Sequence, residues 1–340
     1  MERRDYSIDL IKTLAIFSVI LIHIGSAAMA QAVGSFGWIA GLLWTSPARA
    51  AVPLFLMCSG ALLLDPGREL TLKKLFSRNL LHILVAMLFW AMAYQVYHLA
   101  AARSLTAGSL WQACKETLLF RQEFHLYYLH ITLLLYLFLP VLRVLTAHAT
   151  RRQLEYALVL WFLFGILYPT VRDLWPFRLL GGIPVQWRVN MTYAALGYAL
   201  LGHYLRRYPL ALRWSRLAFW AGLAVVLGGT WALSVRDGAL NTRMQEGMTI
   251  GPALMAAGVF AWAQGRRMPE GIIGRDVAFV GRASFCVYLV HVFFYYLLQP
   301  LCARMPALPG IPVCAALNLA LSLAAYGMLS RFRWAKRWLI

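Results

Sequence analysis

Ten apolar runs recur along the 340-residue chain, most of them long enough to cross a bilayer as a helix. A spanning helix needs about 20 apolar residues, within a range of about 17–25. A half-helix from Phe36 is expected before the short second run. The runs predict an all-α, polytopic integral membrane protein with one transmembrane domain over residues 1–340 and no appended soluble domain. The predicted spans are residues 8–30, 49–64, 75–100, 126–145, 154–168, 185–204, 217–235, 248–264, 277–301 and 311–332.

Composition agrees with this class. Hydrophobic residues make up 61% of the chain and charged residues 13%, whereas about a quarter of the residues in a soluble domain are charged. The formal charge of +19 would suggest a nucleic-acid partner in a soluble protein. Here the basic residues form short clusters between apolar runs. We therefore expect anionic membrane lipids as the generic partner and no nucleic acid.

The positions of Lys and Arg predict the orientation. With a cytoplasmic N-terminus, the inner connections and both tails hold 21 of the 32 basic residues, and the outer connections hold 10. Cytoplasmic loops normally carry the excess, so ten spans with both termini in the cytoplasm are predicted, as in a bacterial inner membrane. The first run has the composition of a cleavable signal peptide. Because Asp5, Asp9 and Lys12 crowd its start, we expect it to remain as a helix.

Two outer connections are long, residues 101–125 and 169–184. The first predicts an interfacial helix, and the second, rich in Pro, Gly and aromatic residues, predicts a re-entrant or lid-like loop. The five cysteines form no C-x-x-C pair and lie mostly in apolar runs, so we expect them to be unpaired hydrophobic residues. No His or Cys spacing predicts a metal site.

The first run, "IDLIKTLAIFSVILIH", carries three ionisable residues: Asp9, Lys12 and His23. A helix advances about 100° and about 1.5 Å per residue, so Lys12 and His23 share a face about 16.5 Å apart, with Asp9 on the same stripe. Ionisable residues inside a span usually serve function. The alternatives are a Lys12 that snorkels to the headgroups and pairs with Asp9, and a His23 that joins helices by hydrogen bonds.

This spacing suits a ligand with an anionic head at the inner surface and a reactive tip deeper in the protein. Coenzyme A fits this description, because its extended pantetheine arm is as long as four or five extended residues, or about 15 Å. Its phosphates would contact Lys12 and the cluster of Lys73, Lys74 and Arg78, and its thioester would reach His23. Acyl-CoA, most simply acetyl-CoA, is then the donor substrate, and no bound cofactor is needed.

The chain also resembles the membrane-integral acyltransferase-3 family, which includes bacterial polysaccharide and lipopolysaccharide O-acetyltransferases. The family hallmark is a basic residue, ten residues and then His in the first helix, which Lys12 and His23 match. Three further segments are similar to family motifs and follow in family order: "VPLFLMCSGALLL" at 52–64, "FHLYYLHITLLLYLFLPVLR" at 124–143 and "ASFCVYLVH" at 283–291. The resemblance implies a ten-helix core that uses cytoplasmic acyl-CoA and an acceptor on the outer side.

The chain departs from the family in its third helix. That helix usually opens with two arginines three residues apart at the inner surface. Here Arg78 is followed by Leu81 at the second place, with His82 nearby.

A neutral histidine is suited to removing a proton from a sugar hydroxyl. We expect His23 to act as the general base in transfer to a glycan or lipid-linked saccharide, with a transient acyl-histidine as the alternative. Asp9 would support Lys12. The rival function is a secondary transporter or flippase, for which paired broken helices would be expected. A second copy of the chain, in a homo-oligomer, is a further candidate partner.

Further polar residues are candidates for acceptor binding. Glu123, His125 and Tyr128 stand at the outer mouth of the fourth span, where an aromatic belt with solvated charges is the alternative. Arg188 and Asn190 are weaker outer candidates.

Three more candidates lie within predicted spans. Tyr288 and His291, one turn apart on the ninth span, are either site residues or helix-packing residues. Ser59 lies in an apolar run beside Gly60, where packing is the simpler role.

Overall fold

The structure, a computed structural model, describes residues 5–180, 191–267 and 269–340, and within them every regular element is helical. Short 3-10 turns (Pro47–Ala50, Phe124–Leu126, Phe177–Leu180 and Arg243–Gln245) and π-helical turns (Leu75–Leu80 and Phe162–Leu167) join or extend the helices. The helices are α1 (Tyr6–Met29), α2 (Phe36–Thr45), α3 (Ala51–Leu63), α4 (Leu72–Lys74), α5 (Leu81–Ala101), α6 (Ala107–Leu118), α7 (Tyr127–His148), α8 (Arg151–Trp161), α9 (Tyr168–Val171), α10 (Met191–Arg207), α11 (Leu212–Asp237), α12 (Ile250–Ala263), α13 (Ile272–Cys302), α14 (Ala307–Leu329) and α15 (Arg333–Trp338).

Within the described residues, eight helical segments are long and apolar enough to cross a membrane. This confirms an all-α, polytopic protein. The two other predicted spans correspond to α10, which follows residues outside the described part, and to α12, which has 14 residues. The count of ten and the orientation remain predictions. The eight segments are Tyr6–Met29, Phe36–Leu63, Leu72–Ala101, Phe124–His148, Arg151–Val171, Leu212–Asp237, Ile272–Cys302 and Ala307–Leu329.

Helix α1 lies at the centre of the fold. The Asp5 carboxylate caps it by accepting from the backbone N–H of Ser7 at 3.0 Å, which satisfies a donor that the first turn leaves open. The helix packs against α2, α3, α13 and α14. Thr13 Oγ1 donates to the Val277 carbonyl at 3.0 Å and ties α1 to α13. The ionisable residues of α1 are therefore held among other helices rather than facing lipid alone.

Helices α3 and α10 approach closely through two glycines. A Cβ at Gly60 would collide with the backbone of Ala199, and one at Gly202 would collide with the backbone of Met57. Small residues permit this closeness between helices in a membrane, where packing rather than hydrophobic exclusion holds them together. The contact fixes α3, which follows the first predicted outer connection, against α10.

The connections agree in part with the sequence. The half-helix from Phe36 is present as α2, and α6 lies within residues 101–125 with Thr106 and Ser109 forming a capping box. In residues 169–184 the described part contains α9 and the turn Phe177–Leu180. Arg188 and Asn190 lie outside the described residues.

One expectation about the cysteines is wrong. Cys302 and Cys314 form a disulfide with their Cα atoms 6.2 Å apart, whereas Cys58, Cys114 and Cys286 are free. Cys302 ends α13 and Cys314 lies early in α14, so the tight turn between these antiparallel helices brings them together. A reading of each run as a separate helix does not anticipate this pairing.

Candidate active site

A cavity of about 250 Å³ surrounds the half-buried side chain of His23. It is called the outer cavity because the predicted topology puts His23 in the outer half of the membrane. The residues in its wall come from five segments of the chain that are distant in sequence. Its polar side chains include a guanidinium, an amide, two imidazoles and phenols, so it suits a hydrogen-bonding ligand better than a lipid tail. The residues concerned are His23, Arg49, His125, Tyr127, Tyr128, Gln245 and Tyr288.

Three histidines meet at this cavity. The His291 ring stacks on the His23 ring with centroids 5.2 Å apart, and the His125 ring stands edge-on to His291 at 5.2 Å. His291 is fully buried, and its Nδ1 lies 2.7 Å from the Tyr288 carbonyl. Because a carbonyl only accepts, Nδ1 carries the hydrogen and Nε2 is left as an acceptor. Within the described residues Nε2 of His291 has no partner.

Backbone carbonyls hold the helices around this cluster. The Tyr288 hydroxyl donates to the His125 carbonyl, which fastens α13 to the turn that begins α7. Tyr94 on α5 donates to the Leu289 carbonyl at 2.8 Å. Asn318 on α14 donates to the His291 carbonyl at 2.9 Å. Four elements are thus joined at the level of the histidines, which fixes where the rings lie.

Three polar residues of the outer cavity were not predicted from the sequence: Tyr127, which directly precedes the predicted Tyr128, and Arg49 and Gln245. In the described part of the chain, neither Nε of Arg49 nor either amide atom of Gln245 has a hydrogen-bond partner, although these atoms are buried. Gln245 is only 2% exposed. Tyr198 donates to the Gly247 carbonyl at 2.6 Å and holds the turn that carries Gln245. Unpaired buried polar groups are costly, so these atoms favour a polar ligand.

Their signals in the sequence were weak. Arg49 is the lone basic residue of the first predicted outer connection and directly precedes an apolar run, which is an unusual position for a cation. Gln245 gives no signal, because only tertiary packing brings its turn to His23.

A second cavity, the middle cavity, has a volume of about 320 Å³ and lies on the Lys12 side. Its wall includes Lys12, Ser59 and Arg282. It shares Tyr128 and Tyr288 with the outer cavity, and the two phenol rings meet edge to face with centroids 5.4 Å apart. This tyrosine pair is therefore the wall between the two cavities.

A third cavity, the inner cavity, has a volume of about 630 Å³ and includes Arg78 in its wall. It shares His82, Ile83 and Tyr136 with the middle cavity. The three cavities thus adjoin in series, from Arg78 past Lys12 to His23.

The predicted donor-site residues separate into two groups. Lys12 and Arg78 line the series of cavities, whereas Lys73 and Lys74 are exposed on α4 and are not among the lining residues. Asp9 is buried where α1 packs against α13, with its backbone against Gly281. It lines a separate cavity of about 420 Å³.

The predicted acceptor-site residues also separate. His125, Tyr128 and Tyr288 line the outer cavity. Glu123 is turned away, since its carboxylate lies 2.7 Å from His98 Nε2 and accepts from the Tyr296 hydroxyl at 2.9 Å.

Across the residues that the structure describes, no group of three or more His, Cys, Asp and Glu side chains is arranged to hold a metal ion. The chemistry that the three cavities offer is that of imidazole bases, guanidinium and ammonium cations, and phenol and amide hydrogen bonds.

Residues 5–327 match a protein-family model described as an acyltransferase domain, which is nearly the whole chain. No curated protein matches the chain. No solved structure matches it either.

Proposed function

Because the chain belongs to the acyltransferase-3 family and is therefore an acyltransferase, we propose that it moves an acetyl group across the membrane. The donor is cytoplasmic acetyl-CoA, and the acceptor is a hydroxyl of a glycan or lipid-linked saccharide at the outer side. The protein would act in a bacterial inner membrane.

The series of three cavities carries this proposal. Along α1, Lys12 and His23 are eleven residues apart, or about 16.5 Å at the rise of a helix. The pantetheine arm of CoA is about 15 Å long when extended. With its phosphates near Arg78 and Lys12, the arm would run through the middle cavity and bring the thioester to the tyrosine pair. The acetyl group then faces His23 on the other side of that wall.

The outer cavity supports an acceptor rich in hydroxyl groups. Its amide, guanidinium and imidazole groups offer both donors and acceptors, and several of them have no partner within the described residues. A saccharide would satisfy these groups, whereas an acyl chain would leave them desolvated.

In the reaction, His23 takes the proton of the acceptor hydroxyl while the oxygen attacks the thioester carbonyl. The carbonyl π pair moves onto its oxygen, and the Arg49 guanidinium stabilises the resulting negative charge. That pair then re-forms the carbonyl, and the carbon–sulfur bond breaks. The thiolate of CoA takes the proton from His23, which returns to its neutral form. His291, stacked on His23, holds the imidazole in place.

The test is His23→Ala, with His148→Ala as the matched control because His148 is exposed at the end of α7. Inside-out membrane vesicles that contain the native acceptor receive radiolabelled acetyl-CoA, and label is measured in the glycan. General-base catalysis contributes about 100-fold or more, so His23→Ala should lose at least that much activity at equal protein level, and His148→Ala should keep it.

Two results would contradict the proposal. Full activity of His23→Ala would remove the general base. Label that accumulates inside the vesicles with none in glycan would indicate transport instead.

A further inference from the structure

The inner cavity receives arginines from two distant parts of the chain. Arg78 comes from the π-helical turn Leu75–Leu80, and Arg337 comes from α15 near the other end of the sequence. The other polar lining groups are Ser77, Asn79, His82, Tyr136 and Trp338, and the residues that line this cavity include no carboxylate. The cavity is therefore built for an anion, and its volume of about 630 Å³ is that of a small-molecule site.

Helix α15 is held against α5 rather than trailing from the last span. Trp90 donates from Nε1 to the Leu339 carbonyl at 3.0 Å, in a buried position. Trp334 stands edge-on to Phe89 with ring centroids 6.1 Å apart. Ala335 and Leu339 are buried at 5% and 3% exposure. These contacts hold α15 in place, and Arg337 and Trp338 therefore have fixed positions at the cavity.

The position three residues after Arg78 is occupied by Leu81, which is 40% exposed and is not part of the cavity wall. A single arginine from that helix offers one guanidinium to a ligand that has a diphosphate and a further phosphate. A π-helical turn often marks a functional site, and here three consecutive residues of it, Ser77 to Asn79, line the cavity. The second guanidinium of this cavity comes from α15 instead.

We propose that Arg337 is this second cation, and that Arg78 and Arg337 together bind the phosphate groups of the nucleotide half of CoA. Trp338 offers its indole face to the adenine, since bases stack on aromatic side chains. The Arg337 guanidinium lies 5.1 Å from the Trp338 ring centroid, so one contact orients both groups. The inference rests on the proposed function, because it assigns the donor of that reaction to this cavity.

The chemistry favours arginine at both places. A guanidinium binds phosphate with two parallel hydrogen bonds, which lysine does not reproduce. Two cations that face one cavity repel each other, and a polyanion between them removes that repulsion. An anionic lipid headgroup has the same phosphate chemistry but lacks the adenine and the pantetheine arm, which the middle cavity would receive.

The experiment measures the Kd of CoA by calorimetry with the full-length protein in a neutral detergent. Arg337→Gln should weaken CoA binding about tenfold or more, because it removes a charge-assisted contact. Arg333→Gln is the matched control, since it removes the same charge from the same helix at a residue outside the cavity wall. It should stay within about twofold of the parent. Arg337→Lys should recover part of the loss.

Several outcomes overturn the inference. Equal CoA affinities of Arg337→Gln and Arg333→Gln would show that Arg337 does not bind the donor. Loss of binding to phosphatidylglycerol vesicles, with unchanged CoA affinity, would assign Arg337 to lipid. If the parent protein does not bind CoA at all, the proposed function itself fails, which is a separate result. The unfolding temperature of each variant shows whether a loss comes from misfolding instead.

Discussion

Lys12 and Lys73 carry the same charge, but only Lys12 lines the series of cavities. Lys12→Ala should therefore raise the KM for acetyl-CoA about fivefold to tenfold, which corresponds to about 1–1.4 kcal/mol. Lys73→Ala should leave it near that of the parent, because an exposed lysine contributes little. Steady-state transfer in inside-out vesicles measures both. An equal effect of the two variants would favour a diffuse surface charge over a defined site.

Arg49 should affect the chemical step rather than donor binding. Arg49→Gln is expected to lower the rate of transfer about 100-fold, as loss of one donor to a developing oxyanion does. The Kd of CoA should not change, because Arg49 lies beyond the tyrosine pair. Arg304→Gln, at an exposed residue of a predicted outer connection, is the control. Weaker CoA binding by Arg49→Gln would argue against its placement on the acceptor side.

Some residues of the three cavities were predictable from the sequence, and others were not. The shared face of Lys12 and His23 was predictable because both lie on one helix, where their spacing in the sequence fixes their relative positions. His291 was legible as a histidine inside an apolar run. The positions of Arg49 and Gln245 in the outer cavity, and of Lys73 outside all three cavities, depend on how separate elements pack. The sequence of a single apolar run does not determine that packing.

The close contact between α3 and α10 allows a direct test of helix packing. Gly60→Val would push a side chain into the Ala199 backbone and separate the two helices. The separation would also displace Ser59, which forms part of the wall of the middle cavity. Overpacking costs about 1–3 kcal/mol, so the unfolding temperature in detergent should fall by about 5 °C or more.

Gly228→Val is the matched control, because a Cβ at Gly228 meets nothing within 4 Å. It should leave the unfolding temperature close to that of the parent. A similar fall in both variants would mean that valine itself, rather than the collision, destabilises the helices.

Most elements follow from hydropathy, because apolar runs of spanning length leave a helix as the main solution. The half-helix from Phe36 was predicted before the short second run, and an interfacial helix was predicted in the mixed-charge connection of residues 101–125. The π-helical turns and the docking of α15 against α5 were not predicted, since they depend on how separate elements pack.

For the whole molecule, the disulfide between Cys302 and Cys314 tests the orientation. Disulfides persist in oxidising compartments, and the predicted topology puts this pair on the outer side. In a Cys114→Ser background, intact cells should bind a membrane-impermeant maleimide only after reduction by an impermeant phosphine. Cys302→Ser/Cys314→Ser should bind none under either condition. Labelling that requires inverted vesicles would reverse the orientation.

The tyrosine pair has a consequence for the cell as well as for the reaction. A protein that takes one substrate from each side of a membrane would leak small ions if the cavities for the two substrates were joined by an open passage. Tyr128 and Tyr288 close the wall between the two cavities, because their rings are in edge-to-face contact with centroids 5.4 Å apart. A slender thioester would need to displace this contact only locally. In the proposed reaction the same wall would also keep protons from following the acyl group, so transfer would not dissipate the proton-motive force.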